Sequence, residues 1–271
     1  MWVITLVSIF GVCLSKGHED PNDQTVKMEI DINPGQLSTN ISRITGGVEA
    51  ERHAYPWQVR MGVIFEDDDG KRRSKGCGGT IICPKFIMTA AHCLECVNKR
   101  KHPRRCDKTG PFFQPYQLSV LVGAHNVKDF PWPYYVLERG ATLHRVSRTV
   151  IHPQRNRAFA LYDFALLQLQ DSILFWEGAR PLYLPEPCNI DTETRIKYAP
   201  LAVSGWGATQ NDFQDKDILR VVSIRFIPTA KCPIENFRIG RTYRPGICAG
   251  IPNPGNPDQG KDACFGDSGG S

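Results

Sequence analysis

Long apolar runs are scarce in this 271-residue sequence. After residues 2–14 (WVITLVSIFGVCL) no stretch reads as a membrane span, and that stretch is itself too short to cross a hydrocarbon core of about 30 Å comfortably. No segment carries the sustained periodicity of a long amphipathic helix, and no fixed short period repeats, so helical bundles and solenoids lack support. A strong excess of one charge is missing too. With 33 Lys and Arg against 28 Asp and Glu, the net charge of +5 is too mild to imply a general nucleic-acid or membrane-surface role. Paired zinc spacing is also absent, because Cys93 and Cys96 form one Cys-x-x-Cys pair with no second pair nearby. Nothing in the sequence calls for a metal or an organic cofactor.

What is present suffices for a folded core, with 41% of residues hydrophobic and 23% charged. The apolar stretch, followed by the small Ser15 and then polar sequence, has the length of a signal-peptide core; residues 1–15 are therefore expected to direct secretion. Residues 16–43 are polar and acidic, contain no cysteine, and read as a flexible prosegment. The ten cysteines of an exported chain favour disulfides over metal ligation, because that compartment is oxidising.

From Ile44 onward, short apolar or alternating runs are broken by Gly, Pro, Asn and Asp. They are residues 80–90 (TIICPKFIMTA), 117–124 (QLSVLVGA), 164–170 (FALLQLQ), 200–207 (PLAVSGWG) and 218–227 (ILRVVSIRFI). Such runs predict strands, and their spacing predicts an all-β barrel architecture. Two polar segments interrupt the pattern as insertions between strands. Glu95 to Pro115 carries Lys99, Arg100, Lys101, Arg104, Arg105 and Lys108 and is expected to be an exposed loop; Asp67 to Lys75 is expected to be a second one.

Three short segments carry chemistry. Gly266-Asp267-Ser268-Gly269-Gly270 sets a serine among glycines, where backbone amides can turn toward a developing oxyanion. Thr89-Ala90-Ala91-His92-Cys93 places a histidine after an apolar run, and Asp163 opens the run Asp163-Phe164-Ala165-Leu166-Leu167. Taken singly, each is as readily a turn or a structural residue.

Together, in this order, and with Arg43-Ile44-Thr45-Gly46-Gly47 and Ser204-Gly205-Trp206-Gly207, these segments resemble the chymotrypsin–trypsin family of serine endopeptidases from Arg43 to the end of the chain. The resemblance implies two six-stranded antiparallel Greek-key β-barrels, the second incomplete here, in a peptidase domain over 44–271. It implies Ser268 as nucleophile, His92 as general base and Asp163 as the carboxylate that orients it, with the N–H groups of Gly266 and Ser268 as oxyanion hole. Cleavage after Arg43 would free the amine of Ile44 to pair with Asp267, which makes the chain a zymogen activated by another protease or by itself. Asp262, beside Ala263, falls at the base of the primary specificity pocket, so substrates are expected to be proteins cut after Arg and less readily after Lys.

The same resemblance pairs Cys77 with Cys93 and Cys232 with Cys248. Cys83, Cys96, Cys106 and Cys188 leave three possible pairings, of which Cys96–Cys106 with Cys83–Cys188 is favoured. Relatives that bind calcium carry a glutamate where Ala124 stands, so no calcium site is expected there. The family continues beyond the position of Ser271 through further strands and a partner for Cys264; the sequence is accordingly read as a partial record of a longer chain. The interval from His92 to Asp163 is longer than the family's usual one, mostly because of the basic segment, whose residues 99–108 are a candidate polyanion-binding surface. A protein inhibitor is an expected partner, and Asn40-Ile41-Ser42 is a glycosylation sequon. Two rival readings are a non-catalytic homologue acting as a binding or decoy module, and a serine esterase of another fold.

Overall fold

The computed structural model describes residues 48–66, 70–95, 112–131, 137–156, 162–184, 201–207, 217–227, 238–239, 242–243 and 248–250. The chain divides into the units Met1–Ile41 and Ser42–Ser271, and every described residue lies in the second.

Alternation of buried and outward side chains builds its centre. In β2 (Gln58–Glu66) Val59, Met61 and Val63 are fully buried, and in β5 (Leu118–Val122) Leu118, Val120 and Val122 point the same way. β1 (Val48–Glu49) precedes them, and β3 (Arg72–Cys83), β4 (Phe86–Thr89), β6 (Thr142–Ile151) and β7 (Ala165–Leu169) complete the set. Strands β2, β3, β4, β7, β6 and β5 close in that order into a barrel, every neighbouring pair antiparallel. Ile81, Ile87 and Leu167 join the inward-facing residues, and burying each such side chain contributes roughly 1.5–3 kcal/mol before conformational entropy is counted. Closure also leaves the barrel no free edge to pair with another chain.

A four-stranded antiparallel sheet follows, in which β9 (Arg220–Ile227) pairs with β1, β8 (Leu201–Gly205) and β12 (Cys248–Gly250). A two-stranded ribbon joins β10 (Arg238–Ile239) to β11 (Thr242–Tyr243). Leu121, on the outer face of the barrel, packs with Ala50, Ala124, Val127, Ala141, Trp206 and Leu219, and so fastens the sheet to the barrel. Among the described residues the single α-helix is the four-residue α1 (Ala91–Leu94). The expected all-β fold is therefore present, with one closed six-stranded barrel described in full and the second sheet in part.

The expected strands at 80–90, 117–124, 164–170, 200–207 and 218–227 are all found, in β3 with β4, in β5, β7, β8 and β9. Two expectations need correction. Arg72 to Lys75 is not loop but the first stretch of β3, paired with Glu66 to Val63 in an extended hairpin in which Arg72, Arg73, Ser74 and Glu66 stay exposed. The feet of the expected exposed loop 95–115 are packed as well: Glu95 and Phe113 are 7% and 4% exposed, Phe113 N–H donates to the Leu94 carbonyl, and Glu95 bridges Phe112.

Gly79 shows how tightly the barrel is filled. A Cβ there would lie 2.8 Å from Ile87 Cγ2 and 2.9 Å from Val59 Cγ2, and neither branched side chain can swing away within a closed core. Gly79→Ala is accordingly expected to destabilise by about 1–3 kcal/mol, read as a lower urea midpoint at unchanged slope. A midpoint equal to that of the parent protein would show that the core is looser than described.

Candidate active site

Two strand ends meet at one rim of the barrel. β4 and β7 run antiparallel with Thr89 opposite Ala165, so the residues just after β4 and just before β7 emerge side by side. This register brings together His92 and Asp163, which are 71 residues apart in sequence.

The histidine is held from several directions. Thr89 Oγ1 donates to the Gly78 carbonyl at 2.8 Å, and the chain then turns into α1, where Ala91, Cys93 and Leu94 are buried. With those three turned inward, His92 is left facing out, its side chain 39% exposed. A disulfide between Cys77 and Cys93 locks α1 to β3. Closing a loop of that size stabilises by about 3 kcal/mol in the chain-entropy picture. Lys75 Nζ donates to the His92 carbonyl at 2.8 Å.

Asp163 follows a sharply bent residue. Tyr162 lies in the left-handed region at φ 50°, its ring stacked on His152 at 4.9 Å, and Phe164 N–H donates to the Tyr162 carbonyl at 2.9 Å. The left-handed conformation costs a bulky residue about 1 kcal/mol or more. The bend aims the carboxylate at the histidine turn. There Oδ1 accepts the His92 backbone N–H at 2.8 Å, and Oδ2 meets His92 Nδ1 at 2.7 Å. With a carboxylate against Nδ1, the neutral ring keeps its proton on that nitrogen and leaves the Nε2 lone pair available. Burial works to raise the Asp163 carboxyl; the His92 ring and backbone bonds, the charge of a protonated His92 and the Arg155 guanidinium outweigh it and hold the group below the ordinary value of 3.8.

Among the described residues, further charged side chains stand at this rim. Arg155, its side chain 6% exposed, donates from Nε to Glu95 Oε1 at 3.0 Å and sets Nη2 3.5 Å from Asp163 Oδ1. Burial lowers the Lys75 ammonium, with Glu95 and Asp163 opposing that shift. Reading Asp67–Lys75 and Glu95–Pro115 as loops passes over Lys75 and Glu95, and the sequence reading does not single out Arg155. Glu95 follows the histidine motif by two residues, but Lys75 and Arg155 lie well away from either motif, and a lone charge at such positions is too common to interpret.

Cys77, His92 and Cys93 place ligand-type atoms within 4.8 Å of one another. The two sulfurs are bonded to each other, so no thiolate is offered to a metal. Ala124 is buried, and beside it Glu138 accepts the His125 and Asn126 backbone N–H groups and pairs with Arg52. Trp206 of the Ser-Gly-Trp-Gly segment is buried and donates from its indole N–H to the His125 carbonyl at 3.0 Å. Cys83 is disulfide-bonded.

Ser268, Gly266, Asp267, Asp262, Ala263, Arg43, Ile44, Asn40, Cys96, Cys106, Cys188, Cys232, Cys264 and the basic segment 99–108 lie outside the described residues, as do residues 1–15 and 16–43. Of Cys248 the strand position alone is described.

A closed antiparallel barrel that presents an imidazole aligned by a carboxylate at its rim defines a class of β-barrel proteins equipped for acid–base chemistry. Residues 44–271 match the Trypsin family, and the chain belongs to that family of serine proteases. It is 29% identical to ovochymase-2 of Mus musculus over 98% of this chain and 39% of that protein, and thus spans well under half of that relative's length. It is 28% identical to trypsin 5G1 of Aedes aegypti over 84% of this chain and 70% of that protein.

The depressed Asp163 carboxyl ties stability to pH in a known direction. A group whose folded value lies below its unfolded one stabilises the fold above the unfolded value, and that stabilisation is lost as pH falls through the folded value. Urea midpoints measured from pH 6 downward are expected to fall more steeply below about pH 4 in the parent protein than in Asp163→Asn. Parallel profiles would show that the carboxylate is not held by these partners.

Proposed function

We propose that this chain is a secreted serine endopeptidase that hydrolyses peptide bonds after Arg, and less readily after Lys. The observation that carries the reading is the 2.7 Å contact of His92 Nδ1 with Asp163, in a chain that belongs to the trypsin family. With Nδ1 occupied, Nε2 is the proton acceptor for a serine hydroxyl, which is a weak nucleophile unaided. Ser268 is the proposed nucleophile.

In the proposed cycle, Ser268 Oγ bonds to the scissile carbonyl carbon as its proton passes to His92 Nε2. Asp163 stabilises the imidazolium, and the N–H groups of Gly266 and Ser268 stabilise the oxyanion. His92 then gives the proton to the departing amine, and an acyl-enzyme remains. Water, deprotonated by the same nitrogen, attacks the acyl carbon, releases the new carboxylate and returns the proton to Ser268. Asp262 supplies the charge that selects a cationic side chain, because an apolar one would strand a buried carboxylate. Ala263 beside it offers no hydroxyl to solvate a compact ammonium, which favours Arg and its two-point fork over Lys.

Activation is proposed to follow cleavage after Arg43, by this enzyme or another, with the Ile44 amine pairing with Asp267. Breaking a buried pair of this kind costs about 3–5 kcal/mol, enough to keep an uncleaved chain in its inactive arrangement. The Cys77–Cys93 disulfide supports maturation in an oxidising compartment. Residues 99–108 remain a candidate surface for polyanions or a protein inhibitor, with binding that weakens as salt rises.

A fluorophosphonate probe tests the reading. After cleavage at Arg43, label is expected on Ser268, and His92→Ala is expected to lower peptide turnover by about four to six orders of magnitude. Absence of label from a folded, cleaved protein would favour a non-catalytic binding module instead. Turnover of esters but never of peptides would favour an esterase.

A further inference from the structure

We infer that Arg155, held by Glu95, is a positioning residue that sets both the alignment and the proton affinity of the His92–Asp163 pair. This rests on the reading of His92 as general base and Asp163 as its orienter.

Three segments converge on the rim, each sending a charge to the same place. Glu95 follows α1 directly and is the C-cap residue of the histidine's own helical turn. Arg155 leaves the end of β6, where its N–H donates to the His152 carbonyl, and Asp163 enters β7. Arg155 is the one that joins the other two. Its Nε binds Glu95 at 3.0 Å, its Nη1 donates to the Asn156 carbonyl at 3.2 Å, and its Nη2 stands 3.5 Å from Asp163 Oδ1. With side-chain exposures of 6% for Arg155 and 10% for Glu95, the pair is largely shielded from water, where fixed charges act more strongly than at the surface.

The consequences are geometric and electrostatic. Oδ1 of Asp163 is engaged by the His92 backbone N–H and faced by Arg155, which prevents the carboxylate from rotating and reserves Oδ2 for Nδ1. A rigid planar guanidinium suits this bridging better than an ammonium would. Among the described residues, the charged groups around the imidazole are Lys75 from β3, Glu95 from the α1 turn, Arg155 from the β6 exit and Asp163 from the β7 entry; the His152 ring lies farther along, between Tyr162 and Phe164. Two cations thus face two carboxylates. Removing one cation should make protonation of His92 easier, and removing one carboxylate should make it harder.

Opposite signs are the test. In the full chain cleaved at Arg43, the acid limb of kcat/KM and the midpoint of the His92 ring titration by NMR are measured for Arg155→Met and Glu95→Gln. Arg155→Met is expected to move both upward by about half to one pH unit, Glu95→Gln to move both downward by a similar amount, and Arg155→Lys to restore the limb but not the full kcat. Unshifted midpoints, or shifts of the same sign in both variants, would overturn the inference. Should a single variant fail to fold, Glu95→Gln/Arg155→Met leaves neither charge unpaired; it is expected to lower kcat about tenfold at unchanged KM, and an unchanged kcat would likewise overturn the inference. The NMR titration does not require turnover. An inactive parent protein with shifting midpoints would therefore count against the proposed enzyme and leave the charge coupling intact.

Discussion

The contact between Asp163 and His92 is double, and the rim of the barrel is organised around making it so. One carboxylate oxygen takes the backbone N–H of the histidine and the other faces its ring nitrogen. A single bond would fix a distance. Two bonds from one planar carboxylate also fix the rotation of the ring, and that rotation decides where the free Nε2 lone pair points. Every element around the pair serves this constraint. The β4–β7 register brings the two residues to one edge, the Cys77–Cys93 bridge holds the histidine turn against β3, and the bend at Tyr162 aims the carboxylate.

Such an arrangement is expensive in isolation. It holds several charges in a partly dry place and a bulky residue in left-handed backbone. What makes it tolerable is the closed barrel beneath, where branched side chains fill the interior and Gly79 leaves space in which no further carbon fits. The apolar, close-packed material lies in the barrel and the strained, charged material at its end.

Much of this was legible in the sequence because of its local patterns. Leu118-Ser119-Val120-Leu121-Val122 is a short, mostly apolar run and proved to be β5; Ala165–Leu169 proved to be β7. β2 was harder to see, since Gly62 breaks its apolar run, and the reason is spatial: a Cβ there would meet Pro131 at 2.5 Å. β6 was hidden because Val146 is its single fully buried residue, and strands with one wet face and many cations read as loops. His92 and Asp163 were recognisable from the short motifs that contain them. Arg155 and Glu95 were not, because their significance lies in a contact across 60 residues of chain that no local spacing encodes. The same holds for Lys75, which an exposed polar run concealed until β3 was seen to extend through it.

The central claim is that His92 presents Nε2 to a serine acting on arginyl peptides. An arginyl chloromethyl ketone tests it most directly, since such a reagent must enter a cation-selecting pocket, engage the serine and then alkylate the nearby ring nitrogen. The expected result, after cleavage at Arg43, is loss of peptidase activity with one equivalent of reagent mapped by peptide mass spectrometry to His92. An unmodified His92 in protein that goes on cleaving arginyl peptides would contradict it.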